Sequence, residues 1–293
     1  MRSAILPAPC RSCASDVVVI TFPNIDPIAL QLGPLAVHWY GLSYLAGIGL
    51  GWWWLLRQAA RGGGEWSADA VADVVFYAAL GAVIGGRLGY TLFYNAASYA
   101  ADPWSIFAIW QGGMSFHGGL LGTFVALAWY GRKTQRPLLA VSDFVLLALP
   151  ISLALGRIAN FVNQELWGAP SNLPWAVVFT HPAAGALPRH PSQLYEALLE
   201  GLVLFIILNL VARRTGTRGL VSGLFLLLYG AFRSAVEWVR EPDQHIGYLY
   251  GEWLTMGQVL SLPMIVAGMV LIVVALRAGK PAGADNPPAS PLQ

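Results

Sequence analysis

Long runs of apolar residues alternate with short polar connections along most of the chain. A helix needs about 20 residues to cross the hydrocarbon core of a bilayer, and seven segments approach that length. Some contain charges, so the assignment uses pattern as well as hydropathy. The predicted spans cover residues 35–56, 70–94, 115–131, 141–162, 193–212, 219–238 and 257–276. The pattern therefore predicts an all-α integral membrane protein with seven transmembrane helices.

Basic residues are distributed unevenly among the connections between these helices. The connections after the first, third and fifth helices, together with the C-terminal tail, hold ten of the 17 Lys and Arg residues. Basic residues favour the cytoplasmic side of a membrane. This asymmetry predicts that the N-terminus lies outside and the C-terminus in the cytoplasm.

The chain divides into three predicted regions. Residues 1–34 form an N-terminal extension and outer segment, residues 35–277 the seven-helix domain, and residues 278–293 a Pro/Ala/Gly-rich tail that is expected to be disordered. The longest outer connection, residues 163–192, is rich in Pro, Gly and Trp. We expect it to fold as a small arm or cap over the outer face.

Composition supports a membrane protein and excludes several other classes. Hydrophobic residues make up 56% of the chain and charged residues only 11%, against about 25% charged in soluble domains. The net charge of +2 is too small to indicate nucleic-acid binding. Cys10 and Cys13 form a lone CxxC pair, interpreted as incidental because no second pair or nearby His completes a zinc site. The five histidines show no metal-ligand spacing, so no metal is predicted.

Three arginines, Arg87, Arg157 and Arg233, fall inside or at the rim of predicted spans. Each costs about +2.5 to +3.5 kcal/mol at a helix centre, so such residues persist when they are paired, face water or bind something. Arg233 and Glu237 are four residues apart on one helix face, which predicts an intramembrane ion pair. A purely structural network that locks helices together is the alternative interpretation.

A histidine together with several arginines in the membrane segments suggests chemistry on a phosphate. An arginine offers a rigid donor fork that matches phosphate geometry, and the phosphates of a bilayer belong to lipid head groups. His117 lies among glycines in residues 112–122, where a buried imidazole would be open to close approach. Histidine as a residue type, with an unperturbed pKa of about 6.5, suits proton transfer near neutral pH. We therefore predict phospholipid chemistry with His117 as general base.

Two further features have structural interpretations. Ser192 and Glu196 stand at the start of the fifth span, where they could serve the helix N-terminus. Small residues in the second and third spans, such as Gly85 and Gly118, allow helices to pack closely. We favour these interpretations for most of the glycines, except around His117.

Seven motifs occur in an order that resembles one family. They are His38–Gly41, Gly85–Asn95, Gly112–Gly122, Gly156–Gly168, Arg189–Gly201, Ser222–Asp243 and Met256–Gly268. Together they resemble the prolipoprotein diacylglyceryl transferases, and the resemblance extends from about residue 23 to 276. The family has seven transmembrane helices and an outward N-terminus, in agreement with the charge pattern.

The resemblance implies a specific reaction. The diacylglyceryl group of phosphatidylglycerol would pass to the thiol of the lipobox cysteine of a preprolipoprotein, as the first step of bacterial lipoprotein maturation. A thioether would form and glycerol 1-phosphate would leave, without a metal or soluble cofactor. The protein would lie in the bacterial inner membrane as a multi-pass protein, with its site and the 163–192 arm on the periplasmic side.

The resemblance also implies roles for particular residues. The residues implied in catalysis are His117, Arg233 and Tyr40; those expected to bind phosphatidylglycerol are Arg157, Asn160, Glu165, Gly168, Glu237 and Arg87. Arg157 would bind the lipid phosphate, and Arg233 would stabilise the departing glycerol phosphate or gate its exit. The family usually has Gly where Gln164 stands, so the turn leading into the arm is expected to differ here.

Two hypotheses compete with the transferase. A non-enzymatic transporter or flippase could use the same arginines to move an anionic lipid or solute, but would have no strict need for a base at His117. A scaffold whose buried charges only pack helices would lose folding rather than activity when Arg157 is removed. Substitution of His117 therefore separates the first hypothesis from the transferase.

Overall fold

The computed structural model describes residues 20–23, 25–33, 35–94, 96, 99, 102–108, 112–242, 247–251 and 253–279. Cys10 and Cys13 lie outside these residues, as does nearly all of the predicted C-terminal tail. The predicted boundaries of the three regions therefore remain predictions.

Helices occupy all seven predicted positions. They are α1 (Trp39–Arg61), α2 (Ala68–Tyr94), α3 (Phe116–Lys133), α4 (Leu138–Val145), α5 (Leu149–Val162), α6 (Ser192–Arg214), α7 (Leu220–Glu237) and α8 (Met256–Ala278). The fourth predicted span is a broken pair, α4 and α5, bent by 46°. The middle of α6, Ala197–Val203, is wound as a π-helix.

Four short strands accompany the helices: β1 (Ile20–Thr21), β2 (Ile28–Leu32), β3 (Leu35–His38) and β4 (Val177–Val178). The strands β2 and β3 pair antiparallel, whereas β1 pairs parallel with β4. The prediction that the first helix begins at residue 35 was wrong, because Leu35–His38 pairs with β2 and the helix begins at Trp39. The architecture is thus mostly, rather than purely, helical.

Helix length and hydropathy identify a multi-pass membrane protein. Among the described residues, four helices, α2, α6, α7 and α8, are long and apolar enough to cross a membrane, and the bent pair α4–α5 is a fifth if it forms one span. Helices α1 and α3 fall outside this set because α1 is rich in Trp, Tyr and Gly, which add little hydropathy, and the short α3 contains His117, Arg132 and Lys133. The number of seven spans and the orientation of the termini remain predictions.

Glycines bring α2 and α3 into backbone contact. A Cβ added at Gly81 would lie 2.5 Å from the carbonyl oxygen of Gly122, and one at Gly89 would lie 2.7 Å from the Cα of Gly118. The partner number falls as the position on α2 rises, so the two helices are antiparallel. Close approach of this kind is typical of small-residue interfaces in membranes.

Antiparallel packing recurs between the other neighbouring helices. On α1, Gly47 lies against Ser152 and Gly51 against Ala148 of the bent α4–α5 pair, and Gly201 of α6 lies against Ala154 of α5. The helices therefore share two ends. We call the end that holds the N-termini of α1, α3, α6 and α8 the upper end, and the opposite end the lower end.

The main apolar core lies toward the lower end. The rings of Trp66 and Phe144 stack there at 4.1 Å, and Tyr130 lies beside them. Asn209 of α6 donates to the carbonyl of Leu147, at the break between α4 and α5. The buried charged residues of the helices lie instead in the upper half; they are Arg87, Glu196, Glu200 and Glu237.

The arm, residues 163–192, folds on a small core of its own. Phe22 from the N-terminal strand region packs with Val177, Phe179 and Ala184, and β1 pairs with β4 at this place. The expectation of a folded arm agrees with this packing.

Adding a methyl group at Gly85 should destabilise the protein, whereas the same change at Gly49 should not. A Cβ at Gly85 would overlap the carbonyl oxygen of Gly118 and lie 2.7 Å from the Cα of Gly122, but one at Gly49 meets open space. Overpacking costs about 1–3 kcal/mol, whereas Ala in place of an exposed helical Gly gains up to about 1 kcal/mol. Thermal unfolding in detergent should give a lower Tm for Gly85→Ala only; equal Tm values would contradict this packing.

Candidate active site

A chain of alternating charges crosses the upper half of the bundle. Its members, in order of contact, are Glu200, Arg157, Glu196, Arg233, Glu237 and Arg240. They come from α5, α6, α7 and the residues just after α7. This charge chain therefore connects three helices. The three carboxylates balance the three guanidinium groups.

Glu196 is the central member of this chain. Its side chain is fully buried, and its Oε2 lies 3.3 Å from Nε of Arg157. Its other oxygen, Oε1, accepts a hydrogen bond from Nη1 of Arg233. A single carboxylate therefore sets the separation of the two arginines predicted to bind phosphate.

The ends of the charge chain are also held by specific contacts. The buried Glu200 places Oε2 3.4 Å from Nη2 of Arg157. At the other end, Nη2 of Arg233 pairs with Oε1 of Glu237, which confirms the predicted i,i+4 ion pair. Glu237 also accepts from Arg240 at 3.0 Å and from Oγ1 of Thr255 at 2.6 Å. Thr255 caps α8, so Glu237 connects the charge chain to a fourth helix.

The guanidinium groups keep a limited exposure. The side chain of Arg157 is 19% exposed and that of Arg233 is 14% exposed, whereas Glu196 and Glu200 are fully buried. The contacts of Arg157 use Nε and Nη2, on one edge of the guanidinium. The carboxylates thus hold the arginines from the inside, while each arginine side chain keeps a small exposed fraction.

A second group of predicted residues lies beside Arg157. Nδ2 of Asn160 donates to Oε1 of Glu165 at 2.7 Å. Tyr40, at the start of α1, interacts electrostatically with both Glu165 and Arg157, and its hydroxyl lies 3.1 Å from that of Tyr44. The structure therefore gathers Tyr40, Arg157, Asn160 and Glu165 into one region.

Gly168 marks the point where the arm crosses the end of α7. Its N–H donates to the carbonyl of His190 at 2.9 Å, and an added Cβ would lie 2.5 Å from the carbonyl oxygen of Val239. Only glycine fits between these two backbones. The residue predicted to bind lipid therefore has at least a packing role, which brings the arm next to Arg240.

Buried and charged side chains fasten the arm to the end of α7. Arg189 donates to Oε2 of Glu241 at 2.5 Å and to the carbonyl of Gly168 at 3.2 Å. Trp167 donates to the same carboxylate oxygen at 2.9 Å. Nearby, burial lowers the pKa of the His190 imidazole from its ordinary value.

The contacts of Gln164 show how this turn accommodates a residue other than the glycine usual in the family. Its φ of 52° lies in the left-handed region, which favours the glycine usual at this position. Its Oε1 accepts from the N–H and Oγ1 of Thr180 at 2.7 and 3.1 Å, and from the N–H of His181 at 3.0 Å. These three hydrogen bonds compensate the strained backbone by joining the turn to the arm.

His117 is the second residue of α3, and it is exposed on the isolated chain rather than buried. Ser115 caps this helix, because its Oγ accepts from the N–H of Gly118 at 3.2 Å. The ring of Phe116 contacts the imidazole. None of the hydrogen bonds or ion pairs between the described residues joins His117 to the charge chain, although both lie at the upper end.

Arg87 is directed away from the charge chain. Its side chain is 4% exposed, and its guanidinium donates to backbone carbonyls of the connection between α2 and α3. These contacts argue against the predicted contact between Arg87 and a lipid phosphate.

Sequence reasoning missed two of the three carboxylates of the charge chain, Glu196 and Glu200. The interpretation that Ser192 and Glu196 serve the N-terminus of α6 was wrong, because Oγ of Ser192 donates to the carbonyl of Leu166 and Glu196 contacts the arginines. Glu200 lies one turn after Glu196 on the same helix, at the i,i+4 spacing of a shared face. That spacing inside a predicted span was the available signal.

The described part of the chain offers little to a metal ion. Within it, no group of three or more His, Cys, Asp and Glu side chains is placed to hold one. The site consists instead of guanidinium, carboxylate, amide and phenol groups around one end of a helical bundle, which suits an anionic ligand with apolar tails.

Known proteins with similar sequences share one name. The sequence profile described as prolipoprotein diacylglyceryl transferase matches residues 27–274. The phosphatidylglycerol–prolipoprotein diacylglyceryl transferase of Methylococcus capsulatus is 55% identical over 258 residues, which cover 88% of this chain and 98% of that protein. Proteins of the same name from Pseudomonas paraeruginosa and Vibrio cholerae are each 52% identical, covering 88% and 89% of this chain and 97% and 95% of theirs.

The matched region contains all seven motifs and every residue of the charge chain. A match of this length and identity leaves the family in no doubt. The chain belongs to the prolipoprotein diacylglyceryl transferase family.

Proposed function

We propose that the protein transfers the diacylglyceryl group of phosphatidylglycerol to the lipobox cysteine thiol of preprolipoproteins. The observation that carries this proposal is the pair Arg157 and Arg233, joined by the buried carboxylate of Glu196 at the end of the bundle where His117 lies. The names of the relatives agree with it. Family membership favours this transferase over the transporter or flippase hypothesis.

The partly exposed guanidinium groups are suited to the phosphodiester. In our proposal Arg157 binds the phosphate of phosphatidylglycerol, with Asn160, Glu165, Gly168 and Glu237 shaping the head-group site. Charge-assisted hydrogen bonds of this kind are about twice as strong as neutral ones. Their strength increases in the low dielectric of a bilayer, so lipid binding needs few of them.

The chemical step requires a thiolate and a stabilised leaving group. His117 takes the thiol proton, because the thiolate is the nucleophile and a free cysteine with a pKa near 8.5 is mostly protonated at neutral pH. The sulfur forms a bond to the glyceryl carbon as the bond from that carbon to the phosphate oxygen breaks. Glycerol 1-phosphate leaves with a second negative charge, which Arg233 stabilises, and Tyr40 orients the reacting groups.

The charge pattern supports a location for this reaction. We place the protein in the bacterial inner membrane, with the upper end and the arm facing the periplasm. The basic residues at the lower ends of the helices, including Arg57, Arg132 and Arg213, then lie on the cytoplasmic side. The substrate lipid comes from the surrounding bilayer. The acceptor is the lipobox cysteine of a preprolipoprotein signal peptide. No cofactor takes part.

A reconstituted assay tests the proposal. Purified protein in detergent is supplied with phosphatidylglycerol and a synthetic lipobox peptide, and both the mass gain on the peptide cysteine and the release of glycerol phosphate are followed. We expect equal amounts of the two products. Folded protein that yields neither would favour the transport hypothesis.

His117→Gln should abolish lipidation without unfolding the protein. His117 is exposed on the isolated chain, so its replacement leaves the packing intact, while general-base catalysis contributes about 10²- to 10⁴-fold. The same assay and a thermal melt measure the two effects. A variant that keeps full activity would exclude His117 as the base.

Lysine substitutions should separate the two arginines. Arg157→Lys is expected mainly to raise KM for phosphatidylglycerol, and Arg233→Lys mainly to lower kcat, because one contact acts on bound lipid and the other on developing charge. Hydrogen bonds to charged groups contribute about 1.5–3 kcal/mol, or roughly 10- to 150-fold. Equal losses of lipid binding in both variants would contradict this division.

Glu196→Gln should damage both stability and activity far more than Glu241→Gln. Removing one partner of a buried ion pair costs about 3–5 kcal/mol, and Glu196 compensates two arginines. Glu241 pairs with Arg189 but is 37% exposed, so its ion pair is screened by water. Thermal unfolding and KM for phosphatidylglycerol measure the difference; similar effects of the two changes would show that Glu196 has no special role.

A further inference from the structure

All the N–H groups of the Arg87 guanidinium are used by the connection between α2 and α3. Its backbone carbonyl acceptors are those of Ser105, Ile106, Ala108, Gly112 and Gly113. Nε and Nη2 donate at 2.7 Å to Ile106 and Ser105, respectively. A guanidinium has five donors, and here five carbonyls accept from them. No donor is left for a phosphate.

The two glycines whose carbonyls accept from Nη1 have a backbone conformation that other residues avoid. Gly112 and Gly113 have φ of 80° and 79°, in the left-handed region that costs other residues free energy. A Cβ at Gly113 would lie 2.5 Å from the Tyr90 ring and 3.0 Å from Nη1 of Arg87. This conformation turns both carbonyls toward the same nitrogen.

The segment held in this way leads directly into α3. Two residues after Gly113, the N–H of Ser115 donates to the carbonyl of Gly86, the neighbour of Arg87, at 2.9 Å. The hydroxyl of Ser115 then caps α3 through the N–H of Gly118. His117 is the second residue of that helix. Its position is therefore defined by contacts that start from residues 86 and 87 on α2.

We infer that Arg87 is a positioning residue for His117, holding it at the start of α3 through the backbone of residues 112–115. The inference rests on the proposed function, in which His117 is the general base. A base must lie within hydrogen-bond reach of the proton that it removes. A shift of about 1 Å can cost as much as 10²-fold in rate.

Arg87→Lys distinguishes this role from phosphate binding. Lysine binds phosphate as a point charge, so a phosphate ligand would tolerate the change in part. Lysine has three donors on one nitrogen and no planar fork, so it can bind at most three of the five carbonyls. Gly113→Ala disturbs the same segment while leaving the charge of Arg87 in place, and serves as the second variant.

Two matched controls lie at the lower end. Arg136 also donates to a backbone carbonyl, that of Glu65, at 2.7 Å. Gly64 also has a left-handed φ, of 93°, and open space around it. Arg136→Lys and Gly64→Ala therefore make the same residue changes, at an arginine bound to a carbonyl and at a left-handed glycine, far from His117.

The test combines steady-state kinetics with the reactivity of His117. Kinetics use phosphatidylglycerol and a lipobox peptide; acylation of His117 by diethyl pyrocarbonate is followed by mass spectrometry of its peptide. For Arg87→Lys and Gly113→Ala we expect kcat to fall at least about tenfold, KM for phosphatidylglycerol to stay unchanged, and the acylation rate of His117 to change more than in either control.

A rise in KM for phosphatidylglycerol without a fall in kcat would assign Arg87 to the lipid and overturn the inference. A fall in kcat would also overturn the inference if His117 were acylated at the same rate as in the control variants. The base would then not have moved. If wild-type protein lipidates no peptide, the proposed function fails, but the acylation rates still report whether Arg87 sets the position of His117.

Discussion

The contact of one buried carboxylate, Glu196, with Arg157 and Arg233 is the interaction on which the upper half of the bundle depends. An arginine in the apolar part of a bilayer is costly unless it is paired. Glu196 contacts two of them and thereby joins α6 to α5 and α7. Buried ion pairs add little net stability over apolar packing. The partial exposure of both guanidinium groups points to ligand binding as the reason that this arrangement exists.

The remaining parts of the fold hold that site in place. Backbone contacts at Gly85 and Gly118 lock α2 to α3, and a packed apolar core fills the lower half. The arm is fastened over the end of α7 by Arg189 and by the close backbone approach at Gly168. Rigid packing below and hydrogen-bonded segments above allow charged groups to stay in fixed positions within a largely apolar molecule.

Periodicity and charge predicted the helices and the Arg233–Glu237 pair, because both are properties of neighbouring residues on one helix. They could not predict what Glu196 contacts, since its partners lie on two other helices. Local reasoning instead suggested a role at a helix N-terminus, which was wrong. The same limit applies to Arg87, whose carbonyl acceptors follow from loop geometry, and to Leu35–His38, where strand pairing replaces the predicted start of a helix.

The most direct test of the central claim is an experimental structure of the protein with bound phosphatidylglycerol. We expect the lipid phosphate to lie within hydrogen-bond distance of Arg157 and Arg233, with Glu196 still between them and Arg87 still bound to its carbonyls. A phosphate bound elsewhere, with both arginines contacting only carboxylates, would contradict the account and leave the charge chain with a purely structural role.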